Sequence, residues 1–189
     1  MSTRDLLAGS VHDVAHSLLG CTFLHDGVGG VIVEVEAYAP EDAASHAFRG
    51  RTERNASMFE VAGTLYVYRS YGIHWCVNVA CEEQGRGAAV LLRALQPTHG
   101  LAEMRHRRGG VSDALLCAGP GRLTQALGIT REHDGCSIVE PPFALEAPAA
   151  AVELAITPRV GLTKAVDLPW RYVIKGSRWL SRGPRPASP

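Results

Sequence analysis

The chain has 189 residues, enough for one well-buried domain, and its 19 lysines and arginines are balanced by 19 aspartates and glutamates, which argues against a protein that coats nucleic acid by bulk charge. No apolar run reaches the length of a bilayer-spanning helix, and no basic region followed by an apolar stretch and a cleavage site opens the chain. The expectation is one intracellular domain, not secreted, cytoplasmic or nucleoid-associated if bacterial. Five cysteines (Cys21, Cys76, Cys81, Cys117, Cys136) form no CxxC pair and several lie in apolar segments, the pattern of reduced, mostly buried thiols.

In chain order, "VHDVAHSLL" (11–19) has helical apolar spacing and stops at Gly20, and "CTFLH" follows as a short strand. "DGVGG" makes a turn into "VIVEVEAY" (31–38), whose period-two alternation predicts a strand with Val33, Val35 and Ala37 on a packed face and Glu34, Glu36 and Tyr38 on a polar one. After Pro40, "EDAASHAFRG" reads as a short helical turn ended by Gly50, and "RTERNASMF" as a polar loop or short helix. "GTLYVYRSYG" and "IHWCVNVAC" predict two strands joined at Tyr71-Gly72, and "GAAVLLRALQP" a further strand closed by Pro97. "HGLAEMRHRR" and "GPGRLTQALGI" are helices; "CSIVE", "VELAITPRVGL" and "WRYVIKG" supply late strands; "GPRPASP" (183–189) reads as a disordered tail. Strands adjoining through tight turns point to an α/β domain of α+β type, residues 1–182, with a largely antiparallel sheet surrounded by helices.

Two charges interrupt apolar strands. Arg93, inside "AVLLRALQ", is of a residue type almost never fully buried unless paired, and breaking a buried pair costs roughly 3 to 5 kcal/mol, so an acid is expected beside it. Glu36 is the natural partner, although, taken alone, a purely structural pair or a place at a sheet edge is a more ordinary use of such an arginine than catalysis. Tyr66 and Tyr68 share one strand face, Tyr71 follows at the turn, and Tyr38 shares a face with Glu36. Rings beside an acid and an arginine can be cross-strand packing, or they can stack on a flat ligand, an interaction worth roughly 1 to 3 kcal/mol per nucleobase and stronger when the base is cationic.

In order, "VEVEAY", "PEDAASH", "RNASMF", "GTLYVYRSYG", "CVN", "VLLRALQP", "GPGRLTQALGI" and "RVGL" resemble the motifs of the alkyladenine (3-methyladenine) DNA glycosylases, from about residue 12 to about residue 182. The resemblance implies a compact domain on a curved antiparallel sheet, acting as a monomer on duplex DNA with damaged purines, without a cofactor or a metal. It also implies base-excision repair: a flipped purine is released by hydrolysis, leaving an abasic site without strand cleavage. By resemblance, Glu36 is the general base that activates water, Arg93 helps to hold Glu36 and that water, and the Val160 carbonyl completes the water's site. Tyr38, His46 and Tyr68 match the walls that sandwich the base, with the His46 backbone N–H at the base edge. Asn78 matches the side chain that excludes guanine by its exocyclic amine, and Tyr71 the residue that intercalates into DNA.

The chain also departs from that pattern. The spacing from Tyr38 to His46 is one residue shorter, His74 stands where a tyrosine is expected, and the basic N-terminal extension of some relatives is absent, so local arginines must supply the DNA affinity. Rival readings are weaker. His12 and His16 are four apart without HExxH or a third ligand motif, and "GVGG" and "GPGR" lack phosphate-loop form. The remaining alternative is a non-catalytic damaged-DNA-binding protein of the same fold, which would be expected to lack Glu36 or Arg93.

Overall fold

The computed structural model describes Leu7 and residues 9–182; the expected tail at 183–189 lies outside the described residues. Ser10 accepts a hydrogen bond from the Asp13 N–H at 3.3 Å and caps α1 (Val11–Leu18), whose buried residues Val11, Val14, Ala15 and Leu18 fall on one helical face. β1 (Thr22–His25) and β2 (Val28–Tyr38) form a hairpin around Asp26 and Gly27, both with positive φ. The turn is thus shorter than "DGVGG", and Gly29 and Gly30 belong to β2. They are glycines because neighbouring backbone comes close: a Cβ would stand 2.0 Å from the Phe23 carbonyl oxygen at Gly29 and 1.9 Å from that of Gln96 at Gly30.

From Pro40 to Gly50 the chain makes successive turns instead of the expected helical one, with Ser45 N–H bonded to Asp42 O, Phe48 to Ser45 and Gly50 to Ala47. A 3₁₀ helix, Glu53–Phe59, follows, started by a reciprocal Thr52–Asn55 cap. β3 (Leu65–Ser70) and β4 (His74–Cys81) are the expected hairpin, with Tyr71 and Gly72 at positive φ in its turn. β5 (Ala88–His99) continues past Pro97, the expected end. Its pairing with β2 shifts between Gly29 and Gly30, opposite Pro97, so the missing proline N–H falls where the ladder is already irregular.

α2 (Leu101–Arg107) and α3 (Pro120–Leu127) occur as expected, the latter opening on proline and stopping at Gly128 with φ +72°. "CSIVE" is not a strand. It makes only an isolated bridge, Ser137 to Thr64, because Pro141 and Pro142 offer no N–H to extend a ladder; β6 (Phe143–Glu146) forms beyond them. β7 (Leu154–Thr157) and β8 (Arg171–Ile174) complete the set.

All pairings are antiparallel. The order is β3-β4-β5-β2-β1-β6, with β8 bonded to both β2 and β7, and the sheet curls into a half-barrel, a single α+β domain. One face meets the helices in a core that includes Leu18, Phe23, Leu65, Val79, Leu92 and Leu123. The other carries a smaller group, Ala47, Met58, Phe59, Tyr66 and Ala89. In β2 the pairing shifts on both sides of Glu34, so Ile32, Val35 and Ala37 join the main core; Val33 is buried but lies outside it. The five cysteines are free and four are buried. No helix among the described residues is long and apolar enough to cross a membrane.

Candidate active site

Strand register assembles the site. Across β3, β4, β5 and β2 the paired residues are Tyr68 with Cys76, Tyr66 with Asn78, Asn78 with Leu91, and Leu91 with Glu36. Directly paired residues point to the same side of a sheet, so these side chains converge on the face opposite the main core. Tyr38 and Arg93, two residues along their strands, fall on the same face. There they line a cavity of about 490 Å³, which Tyr68, Tyr71, Asn78, His46 and Val160 also line. The sequence-predicted residues are thus brought together, with Glu36 just beneath, fully buried.

Three donors hold Glu36. The Val160 N–H donates to Oε1 at 2.7 Å; the Tyr38 hydroxyl at 2.9 Å and Arg93 Nη1 at 3.2 Å donate to Oε2. Val160 was expected to act through its carbonyl, and the contact it makes with Glu36 is through its N–H. Arg93 does not belong to Glu36 alone, since its Nε donates to Glu34 at 2.9 Å. Glu34, with no sequence-assigned task, is fully buried and also accepts from Arg171 Nε at 2.8 Å and from the N–H and Oγ of Ser181, both at 2.6 Å. Burial works to raise its pKa, but the Arg171 hydrogen bond, with Arg93 and Ser181, outweighs that and holds the carboxyl below its ordinary value.

A second buried pair braces the site from behind. Arg159 and Asp42 are paired with both side chains fully buried, and Arg159 also donates to the Ala37 carbonyl at 2.9 Å. Its guanidinium lies 4.6 Å from the Tyr38 ring centre and 5.2 Å from that of Trp170. Asp42 Oδ1 accepts from the Ala44 N–H at 2.9 Å, so one ion pair fastens the end of β2, the turns leading to His46, and the backbone next to Val160. Neither partner was singled out from sequence. Arg159 adjoins Val160 in "RVGL", and Arg171 interrupts "WRYVIKG" much as Arg93 interrupts its strand, which is the signal that could have found it.

The rings that line the cavity are held in their neutral forms. Tyr66 and Tyr68 stack with centres 5.3 Å apart, and His46 stands edge-on to Tyr68 at 4.5 Å, its Nδ1 2.9 Å from the Tyr66 hydroxyl. Burial raises the pKa of Tyr68, that of Tyr66 to about 12, and that of Tyr38, where the Glu36 charge adds to it. Desolvation, with Arg54 nearby, lowers the pKa of His46 and favours the neutral imidazole. Asn78 is fixed by its Nδ2 donating to the Tyr66 carbonyl at 3.1 Å. Tyr71, at the hairpin tip, is 88% exposed with φ +49°. His12 and His16 lie elsewhere, against Tyr172: His12 Nδ1 is 2.7 Å from its hydroxyl and the His16 ring 4.8 Å from its centre.

Residues 5–178 match the family model described as Methylpurine-DNA glycosylase. A Rhodopseudomonas palustris protein named "Putative 3-methyladenine DNA glycosylase" is 56% identical over 179 residues, 95% of this chain and 90% of its own length. Proteins of the same name from Nitrobacter winogradskyi and Nitrosospira multiformis are similar as well. The first is 56% identical over 95% of this chain and 86% of its own, and the second 54% identical over 94% and 92%. A match of this extent, on a chain whose aromatic cavity and buried carboxylate come from the same motifs, has one consequence: the chain belongs to the methylpurine-DNA glycosylase family.

Proposed function

We propose that this protein is a DNA glycosylase of base-excision repair, acting as a monomer, that flips alkylated or deaminated purines out of duplex DNA and hydrolyses the N-glycosidic bond, leaving an abasic site. The observation that carries this reading is the buried Glu36 carboxylate, gripped by three donors at the foot of an aromatic cavity. A carboxylate offers about four lone-pair sites. Oε2 serves Tyr38 and Arg93, and Oε1 serves Val160 alone, which leaves Oε1 able to take a proton from water.

Extrusion comes first, because a glycosidic bond inside the stack is out of reach and unstacking costs a few kcal/mol. Tyr71, exposed at a hairpin tip, is the wedge that fills the vacated space. Tyr38, Tyr68 and His46 hold the flipped base. Neutral π-faces favour a purine made cationic by alkylation, which also leaves readily, taking the bonding electron pair and departing as the neutral base. As the sugar acquires oxocarbenium character, the Glu36 charge stabilises it and water, losing its proton to Oε1, attacks the anomeric carbon. Asn78, immobilised by Tyr66, excludes guanine by clashing with its exocyclic amine.

A lyase would need an amine at the sugar to form a Schiff base. The chain has two lysines and neither lines the cavity; Lys175 is paired with Glu153. The protein should therefore convert a duplex carrying one hypoxanthine, ethenoadenine or methylated purine into a strand that breaks only after hot alkali. Breakage without alkali would contradict the hydrolytic mechanism, and tight binding without an abasic product would contradict catalysis.

A further inference from the structure

Several arginines away from the cavity are matched with acids: Arg51 with Glu60, Arg86 with Glu41 and Glu82, Arg105 with Asp113, Arg107 with Glu103. Three on the cavity wall are not. Arg54, Arg69 and Arg182 come from three separate segments, and none has a carboxylate at ion-pair distance among the described residues. Arg69 lies over the Trp75 ring at 5.7 Å. Three unneutralised guanidiniums around one opening make a local positive field within a chain of zero net charge.

Arg182 is the one that the interior of the protein is built to hold. It lies beyond β8, where neither strand nor helix supports the backbone. Its carbonyl instead accepts from Arg171 Nη2 at 2.7 Å, while Ser181 gives both its N–H and its hydroxyl to Glu34 at 2.6 Å. Arg93 Nη2 approaches the same hydroxyl at 3.3 Å. Glu34 and Arg171 are 0% and 2% exposed. Desolvating such charges is costly, and apolar residues of like volume often pack as well or better. Apolar residues could not grip the polar backbone of 181–182, which this cluster does.

We propose that the buried Glu34–Arg171 clasp sets Arg182 at the cavity rim, where its guanidinium takes a backbone phosphate of the DNA beside the extruded nucleotide. Glu34 is then a positioning residue twice over, for Arg93 inside the site and for Arg182 at its edge. The inference rests on the glycosylase reading above. A guanidinium suits it because its planar fork matches phosphate oxygens, and each phosphate contact releases condensed counterions.

The test is equilibrium binding to a duplex carrying a tetrahydrofuran abasic analogue, which cannot be hydrolysed, between about 50 and about 200 mM salt. Arg182→Gln is expected to weaken binding about five- to tenfold near 0.1 M salt, with the slope of log K against log salt shallower by about 0.9; Arg182→Lys should restore the slope. Ser181→Ala keeps the cation but loosens the clasp, and should weaken binding about twofold. A wild-type slope in Arg182→Gln would overturn the phosphate contact, and wild-type affinity in Ser181→Ala would overturn the clasp. If the unmodified protein binds without salt dependence, the glycosylase reading falls together with this inference. A normal wild-type slope that Arg182→Gln leaves unaltered removes this inference alone.

Discussion

Tyr71 is a residue that folding alone would not choose. It is 88% exposed, so its ring contributes little to the core, and φ +49° puts a bulky side chain in the left-handed region where glycine is preferred. Replacing it should leave stability within about 0.5 kcal/mol, or improve it in Tyr71→Gly, as read by urea denaturation. Base release from duplex DNA should nevertheless fall at least about tenfold if an unstacking cost of a few kcal/mol is no longer offset by the wedge. Equal excision by Tyr71→Gly and wild type would remove its intercalating role. At this scale the sequence was informative where a residue's place follows from its position along one strand. Glu36, Tyr38, Tyr68 and Asn78 share a face by period-two alternation, and Arg93 announces itself as a cation among valines and leucines. It was silent where meaning lies in a distant partner. Glu34 meets Arg171 137 positions away and Asp42 meets Arg159 117 positions away, separations that no local pattern encodes.

Elements followed the same logic. The β3–β4 hairpin and the three α-helices were legible because caps, breakers and periodicity are local. The ends of β2 and β5 were not, because Gly29, Gly30 and Pro97, read as breakers, are in fact accommodated where the β2–β5 ladder is irregular and backbone comes close. "CSIVE" had strand composition but followed no partner beyond a single bridge. The close approach at Gly30 carries a measurable consequence. A Cβ there would lie 1.9 Å from a backbone oxygen, which cannot swing aside as a side chain could. Gly30→Ala should cost on the order of 3 kcal/mol in denaturant unfolding. A change under about 0.5 kcal/mol would mean that the β2 and β5 backbones do not approach so closely at Gly30.

For the molecule as a whole, the half-barrel turns one face to an apolar core and uses the other to bury two carboxylates and two arginines beneath a cavity. That arrangement ties stability to pH. Glu34 has a folded pKa below its ordinary value, a consequence of its partners Arg171, Arg93 and Ser181 overcoming burial. Such a group contributes stability that is complete above the unfolded pKa, about 4.3 for glutamate, and is lost as pH falls through the lower folded value. Wild type should thus exceed Glu34→Gln in stability at neutral pH, with the gap narrowing as pH falls below about 4. A gap independent of pH would mean that the ionised carboxylate is not what the clasp uses.

The central claim is that one buried carboxylate turns a purine-binding cavity into a hydrolytic site. It is tested most directly by single-turnover release of hypoxanthine or a methylated purine from a defined duplex, measured side by side for wild type and Glu36→Gln together with binding of the same duplex. Glutamine keeps the size of the side chain but cannot accept a proton from water. Lesion binding should be largely retained while base release falls by about 10²- to 10⁴-fold. Undiminished release by Glu36→Gln, or no release by the wild-type protein from any of these duplexes, would contradict the account.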